Sequence, residues 1–302
     1  MSNGDRCRSR PFRLIAFDWD GTAVPDRKAP ADDVVPRVET LGARGVVCAV
    51  ITGTNIGNLE PTFFERLDPR RRYCLLACMN RGSEVFGYDD NGNRLLLYRR
   101  EATAAENQAM DEIAITLRDE LAQQFGLETN IVFDRLNRRK IDLIPVEEWA
   151  DPPKARIGEL LEAVNTRLER CQVEGGIQHI MDRVSEEAAR RDLDVRLTTD
   201  VKHVELGLTD KSDSVAYLLE HVAARRGIQR SRICFLGDEF GPIAGFRGSD
   251  YMMYGVTGAA YYSVGREPNG VPEGVVHLGG GVPRFLEFLD AQIQAWETAG
   301  DE

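Results

Sequence analysis

Arg13-Leu14-Ile15-Ala16-Phe17-Asp18-Trp19-Asp20-Gly21-Thr22 is the stretch on which the fold turns. An apolar run stops abruptly at two aspartates one residue apart, followed by a glycine. Strands that are apolar throughout, without alternation, belong to parallel sheets covered on both faces. A second such run, 46–51, ends at Thr52-Gly53-Thr54-Asn55. A third strand is expected over 73–79, and a fourth over 233–236, ending at Gly237-Asp238. Between the first two strands, Asp32 or Asp33 should cap a helix. Val34, Val38 and Leu41 form its apolar stripe, and Gly45 closes it. Strands alternating with helices predict an α/β fold, a Rossmann-like doubly wound parallel sheet.

The middle of the chain has a different pattern. Met110, Ile113, Leu117 and Leu121 mark one amphipathic helix, and Ile157, Leu160, Leu161, Val164 and Leu168 another. Short strands are expected over 130–134 and 140–145. A hairpin is expected from 194–197 and 202–208 about Thr198-Thr199-Asp200. Helices followed by paired strands predict an inserted α+β domain. We place it at 83–208, so that 1–82 and 209–302 form one discontinuous domain.

The chain has 302 residues, 38 basic against 49 acidic, for a formal net charge of −11, and 42% of it is hydrophobic. That balance is globular rather than disordered. Its sign argues against nucleic acid or an anionic membrane as partner, since both need a basic face. Most of the excess acid falls within 83–208. The longest apolar run, 46–51, is far short of the roughly 20 residues a membrane-spanning helix needs. Residues 1–10 are polar and show no secretory h-region. Cys7, Cys48, Cys74, Cys78, Cys171 and Cys234 have no framework spacing, and His179, His203, His221 and His277 are scattered. Free thiols in a reducing cytoplasm are the expectation.

The chemistry gathers at strand ends. Asp18 and Asp20 follow the first strand, and Asp238 and Glu239 the fourth. Ligands of open α/β sheets bind outside the carboxyl ends of the strands. Carboxylates converging there repel unless a cation lies among them, and an oxygen-only donor set suits Mg²⁺. Thr52 and Gly53, with a hydroxyl and backbone N–H groups before a helix, suit a phosphate. Lys211, ahead of the helix carrying Val215, Leu218, Leu219 and Val222, would bring a positive charge to the same place.

In order and type, these four stretches resemble the motifs of the haloacid dehalogenase-like superfamily and its phosphatases. Asp18-Trp19-Asp20-Gly21-Thr22 matches motif one, Thr52 motif two, Lys211 motif three and Gly237-Asp238 motif four. The large insert resembles the α/β caps of the Cof-like, sucrose-phosphatase, trehalose-phosphatase and phosphomannomutase branches. The resemblance implies that Asp18 is a nucleophile forming an aspartyl-phosphate and that Asp20 is the general acid and base. It implies Mg²⁺ held by Asp18, the carbonyl of Asp20, and Asp238, with Thr52, Gly53 and Lys211 on the phosphoryl oxygens. Closure of the cap would exclude water until the phospho-enzyme forms. Motif four departs from the pattern. Pro242 and Ile243 stand where a second acid is usual, so Glu239 and Asp250 compete for that role, as if 241–247 were inserted.

Substrate-side candidates are Asn80 and Arg81, after the third strand, and Arg138 and Lys140, in the basic cluster with Arg135 and Arg139. Arginine suits a second anionic group, and pairing with the insert's own acids is the bland alternative. Lys202 and His203 lie on the last insert strand, with their face undetermined. Gly279-Gly280-Gly281 is a loop before the final helix, and Tyr251, Tyr254, Tyr261 and Tyr262 are expected as packing or surface residues. The implied activity is hydrolysis of a small phosphorylated metabolite such as a sugar phosphate. The alternatives are a sugar phosphomutase and a catalytically silent sensor of a phospho-ligand.

Overall fold

The computed structural model describes residues 10–26, 28–150, 152 and 156–299. Cys7 and the N-terminal segment lie outside them. The chain divides into two compact units. One comprises 1–99, 211–242 and 248–302, the other 100–210 and 243–247.

The first unit is built on an eight-stranded sheet. In chain order its strands are β1 (Leu14–Phe17), β2 (Val47–Ile51), β3 (Leu75–Met79), β4 (Glu84–Tyr88) and β5 (Arg94–Arg99), then β10 (Ile233–Gly237), β13 (Ala260–Ser263) and β14 (Val275–His277). Their spatial order is β14-β13-β10-β1-β2-β3-β4-β5. Neighbours from β14 to β3 run parallel, while β4 and β5 are antiparallel.

Alternation along the strands explains the unbroken apolar runs. Ile15, Phe17, Cys48 and Val50 face one buried cluster with Val38 and Leu41 of α1 (Val35–Ala43) and Phe285 and Phe288 of α7 (Gly281–Ala299). Leu14, Ala16, Val47 and Ala49 face the other, with Val215 of α6 (Lys211–Tyr217) and Leu218 and Val222 of the wider π turn after it. Strands β1 and β2 are thus buried on both faces.

Several elements differ from expectation. Helix α1 begins at Val35, neither Asp32 nor Asp33 caps it, and a single helical turn, α2 (Ile56–Leu59), follows β2. The Ala31 carbonyl takes the N–H groups of Val34 and Val35, and a proline in the first turn costs no helical hydrogen bond. The third strand starts at Leu75, because Pro69–Cys74 is a 3₁₀ turn opened by the Asp68 carboxylate on Arg70 N–H. Residues 83–99, assigned above to the insert, instead form β4 and β5 of the large sheet. A tight turn at Asn80–Gly82 reverses the chain, and Asp89 accepts from Asn91 and Asn93 N–H at the next hairpin.

The second unit packs three helices on an antiparallel sheet. The helices are α3 (Ala104–Phe125), α4 (Ile157–Arg170) and α5 (Gly176–Arg190). The strands are β6 (Asn130–Arg135), β7 (Arg138–Asp142), β8 (Arg196–Thr199) and β9 (His203–Gly207), in the order β6-β7-β9-β8. Thr103 and Glu106 form a reciprocal capping box at the start of α3. Helix α5 is absent from the sequence reading, although Ile177, Ile180, Val184 and Ala188 carry the required stripe and are buried. Strand β7 starts at Arg138, after Asn137 turns the chain with φ 56°. Ile243 of β11 (Pro242–Ile243), Ala244, and Phe246 of β12 (Phe246–Arg247) pack on this unit's apolar cluster. Of the residues 241–247 that interrupt motif four, 243–247 therefore leave the core loop and belong to the second unit. Among the described residues no helix is long and apolar enough to cross a membrane.

Candidate active site

Parallel pairing puts the carboxyl ends of β1, β2, β3 and β10 at one edge of the sheet. Phe17 is level with Val50 and with Leu236, so Asp18, Thr52 and Asp238 all emerge there. Strand β1 is central, with the chain turning to β2 on one side and β10 on the other. This is the switch point at which such sheets open a crevice.

Asp18, Asp238 and Asp250 each place a carboxylate oxygen within 4.8 Å of the others. Lys211 starts α6 and is 3% exposed; its Nζ lies 2.6 Å from Asp18 Oδ1 and 2.6 Å from Asp250 Oδ1. Burial alone would push the lysine pKa down. The two carboxylates outweigh it and hold the ammonium above its ordinary value. Burial pushes the Asp250 carboxyl up, and Lys211 draws it back. The Thr22 hydroxyl lies 3.3 Å from Asp18 Oδ2 and 3.4 Å from Asp238 Oδ1, able to donate to one at a time.

This donor set fits a hard divalent cation. It consists of carboxylate oxygens, and its acids outnumber its one lysine. Asp250 is already committed. Its Oδ1 takes Lys211, and its Oδ2 accepts the N–H groups of Asp238 and Glu239, each at 2.9 Å. Lys211 takes only Oδ1 of Asp18, so Asp18 Oδ2 and the Asp238 carboxylate are the ones suited to a metal. Glu239 stands outside the triad, and its Oε2 accepts from Ser249 Oγ at 3.0 Å. The loop is tightly seated. A Cβ on Gly265 would lie 1.9 Å from Asp238 O, and one on Gly248 2.1 Å from Glu239 O.

Thr52 is 1% exposed at the end of β2. Its Oγ1 accepts from Thr54 N at 3.4 Å, and Gly53 sits between the two. Arg81 N–H donates to Thr52 O at 3.0 Å and Asn80 N–H to Thr54 O at 2.9 Å, tying the turn after β3 to the turn after β2. Asn80 and Arg81 both have φ 52°, a conformation costly for residues with a Cβ. Asn80 Nδ2 donates to buried Glu84 Oε2 at 2.6 Å. Asp20 is half-buried, two residues past Asp18.

The remaining basic candidates lie in the second unit and do not form one cluster. On β7, Arg138 and Lys140 share a face and lie 3.3 and 2.6 Å from Glu205, which is fully buried on β9. Arg139 faces the other way, onto Asp111 and Asn107. Lys202 pairs with Asp142 at 3.2 Å, and His203 Nδ1 lies 3.0 Å from Asp200. Tyr251, Tyr254, Tyr261 and Phe235 form a ring chain, as packing residues do. Sequence reasoning left Thr22 without a role, although its position, four residues after Asp18, is legible.

No family model matches the chain, and no curated protein does. Solved structures do. IMP-bound Plasmodium falciparum IMP-nucleotidase is similar at 12% identity and a TM-score of 0.59, over 94% of this chain and 68% of that one. The C-terminal domain of the C. albicans trehalose-6-phosphate phosphatase is similar at 17% and 0.60, over 96% and 95%. The Aspergillus fumigatus trehalose-6-phosphate phosphatase is similar at 16% and 0.58, over 97% and 96%. The fold is the one that these three structures share.

Proposed function

We propose that the protein is a Mg²⁺-dependent phosphomonoester hydrolase. The observation that carries the reading is the buried Lys211 bridging Asp18 and Asp250, beside Asp238, at the carboxyl edge of the sheet. Asp18 attacks the phosphorus atom. Its Oδ–P bond forms as the ester P–O bond breaks, and Asp20 delivers a proton to the leaving oxygen. Asp20, now a carboxylate, takes a proton from water, which attacks the aspartyl-phosphate and releases phosphate. Lys211 and the Thr52 hydroxyl hold the phosphoryl oxygens as charge develops on them. Asp18 and Asp238, with the Asp20 carbonyl, would hold Mg²⁺, which neutralises negative charge between nucleophile and phosphate.

The similar solved structures are of enzymes named for IMP and trehalose 6-phosphate, so a small phosphorylated metabolite, such as a sugar phosphate, is the substrate class we infer. A panel of phosphorylated metabolites, scored by phosphate release with Mg²⁺, tests this reading. Asp18→Asn should abolish turnover of every substrate found. Turnover retained in that variant would remove Asp18 as nucleophile. Positional isomers without free phosphate would show a mutase, and ligand-induced stabilisation without turnover a sensor.

A further inference from the structure

Four successive backbone N–H groups, of Asp238, Glu239, Phe240 and Gly241, all end on carboxylates. The first two meet Asp250 Oδ2. The Phe240 N–H meets Glu267 Oε1 at 2.8 Å, and the Gly241 N–H meets Glu267 Oε2 at 2.8 Å. Ser263 Oγ, at the end of β13, adds a third bond to Glu267 Oε1 at 2.6 Å. A concave run of amides is an anion site. Here the protein fills it with its own two acids.

Glu267 is 9% exposed and holds φ at 46°, in the left-handed region. Such a backbone persists only where its surroundings over-determine it. A buried carboxylate is stable only when hydrogen-bonded, and bonds to ionised acceptors are the stronger kind. The segment that leaves the core begins at Ile243, and the carbonyls at this end of the loop are met from the first unit as well, Gly241 O by Gly248 N–H at 3.2 Å and Pro242 O by Asn269 Nδ2 at 2.9 Å, so that Glu267 takes the N–H side of the loop.

We infer that Glu267 is a positioning residue for the metal site. It clamps the far half of the Asp238 loop while Asp250 clamps the near half, and together they fix where the Asp238 carboxylate points. The inference rests on the metal reading above, and the experiment separates the two. Outer-shell partners of metal ligands typically contribute 10- to 100-fold to affinity. Glu267→Gln puts an amide NH₂ against one of two N–H donors. It should therefore weaken Mn²⁺ binding to the metal-free protein by roughly 10-fold or more, read as free Mn²⁺ by electron paramagnetic resonance.

Asp238→Asn should lose Mn²⁺ binding. Leu117→Ala, in the core of the second unit, should lose stability and keep Mn²⁺ affinity, which distinguishes positioning from general weakening. Wild-type affinity in Glu267→Gln alongside loss in Asp238→Asn overturns the role of Glu267 and leaves the metal reading standing. Wild-type affinity in Asp238→Asn overturns both. Should Glu267→Gln not fold, amide exchange in the unaltered protein decides. Slow exchange at Phe240 and Gly241 is expected, and rapid exchange at both overturns the clamp.

Discussion

Lys211 Nζ donates to Asp18 Oδ1 across 2.6 Å, closing a buried ion pair between residues 193 positions apart. The same ammonium reaches Asp250 at the same distance. One cation thus holds two buried acids that would otherwise repel, and it does so beside the proposed nucleophile.

Replacing Lys211 with methionine leaves both acids facing each other without compensation. Breaking a buried pair from one side typically costs about 3–5 kcal/mol. The loss should appear as a lower urea midpoint, and phosphate release should fall at least 100-fold. Unchanged stability would mean that Asp18 and Asp250 do not depend on the lysine. The neighbouring acids hold the ammonium pKa above its ordinary value, so the lysine stays charged in the fold and its stabilisation is lost only as pH rises through that raised value. Turnover should therefore show no alkaline limb from this lysine below about pH 10.

Asp20→Asn keeps the shape of the motif-one turn and removes its proton chemistry. General acid–base groups contribute roughly 10²- to 10⁴-fold, so phosphate release should drop by that factor. The decline should be smaller for an aryl phosphate, whose leaving oxygen needs no proton. Equal losses for alkyl and aryl esters would argue against the acid role.

Gly265 admits no side chain, because the new Cβ would stand 1.9 Å from Asp238 O. Gly265→Ala must displace the loop that presents Asp238. Overpacking of this kind costs about 1–3 kcal/mol. The Mg²⁺ concentration for half-maximal activity should rise with it. A variant with wild-type Mg²⁺ dependence would show that the loop tolerates the shift.

Three fully buried thiols should make stability fall on the alkaline side. Burial pushes Cys78 up to about 12 and drives Cys48 and Cys234 well above the usual thiol range. Their folded pKa values exceed those of the unfolded chain, so their contribution is complete below the unfolded value and is lost as pH rises toward the folded ones. Between about pH 8.5 and 9.5 each should remove roughly 1 kcal/mol. Urea midpoints at pH 7.5 and 9.5 measure this. Replacing the three with alanine should flatten the slope, and a slope unchanged in that variant would assign it to other groups.

Much of the site lies in short segments where local pattern and chemistry coincide. The unbroken apolar runs at Leu14–Phe17 and Val47–Ile51 announced covered parallel strands, and Asp18 and Thr52 stand directly at their ends. The missed helix α5 carries a stripe as regular as that of α4. The insert boundary was less legible, because β4 and β5 join the large sheet through a turn at Asn80 and Arg81 whose conformation no residue preference announces. Glu267 was not legible at all. Its role comes from two backbone N–H groups 26 and 27 positions earlier.

By itself, then, the sequence determined the parallel core, the order of its strand-end motifs and the kinds of atom gathered there, because apolar period and side-chain chemistry are local properties. Only the tertiary structure decided that Asp250 rather than Glu239 joins Asp18 and Asp238, that Arg138 and Lys140 are held by Glu205, and that residues 243–247, within motif four, pack in the second unit. Each depends on which distant segments meet. Such meetings are decided by the burial of both sheet faces and by the pairing of buried charge, neither of which is written in any one stretch of chain.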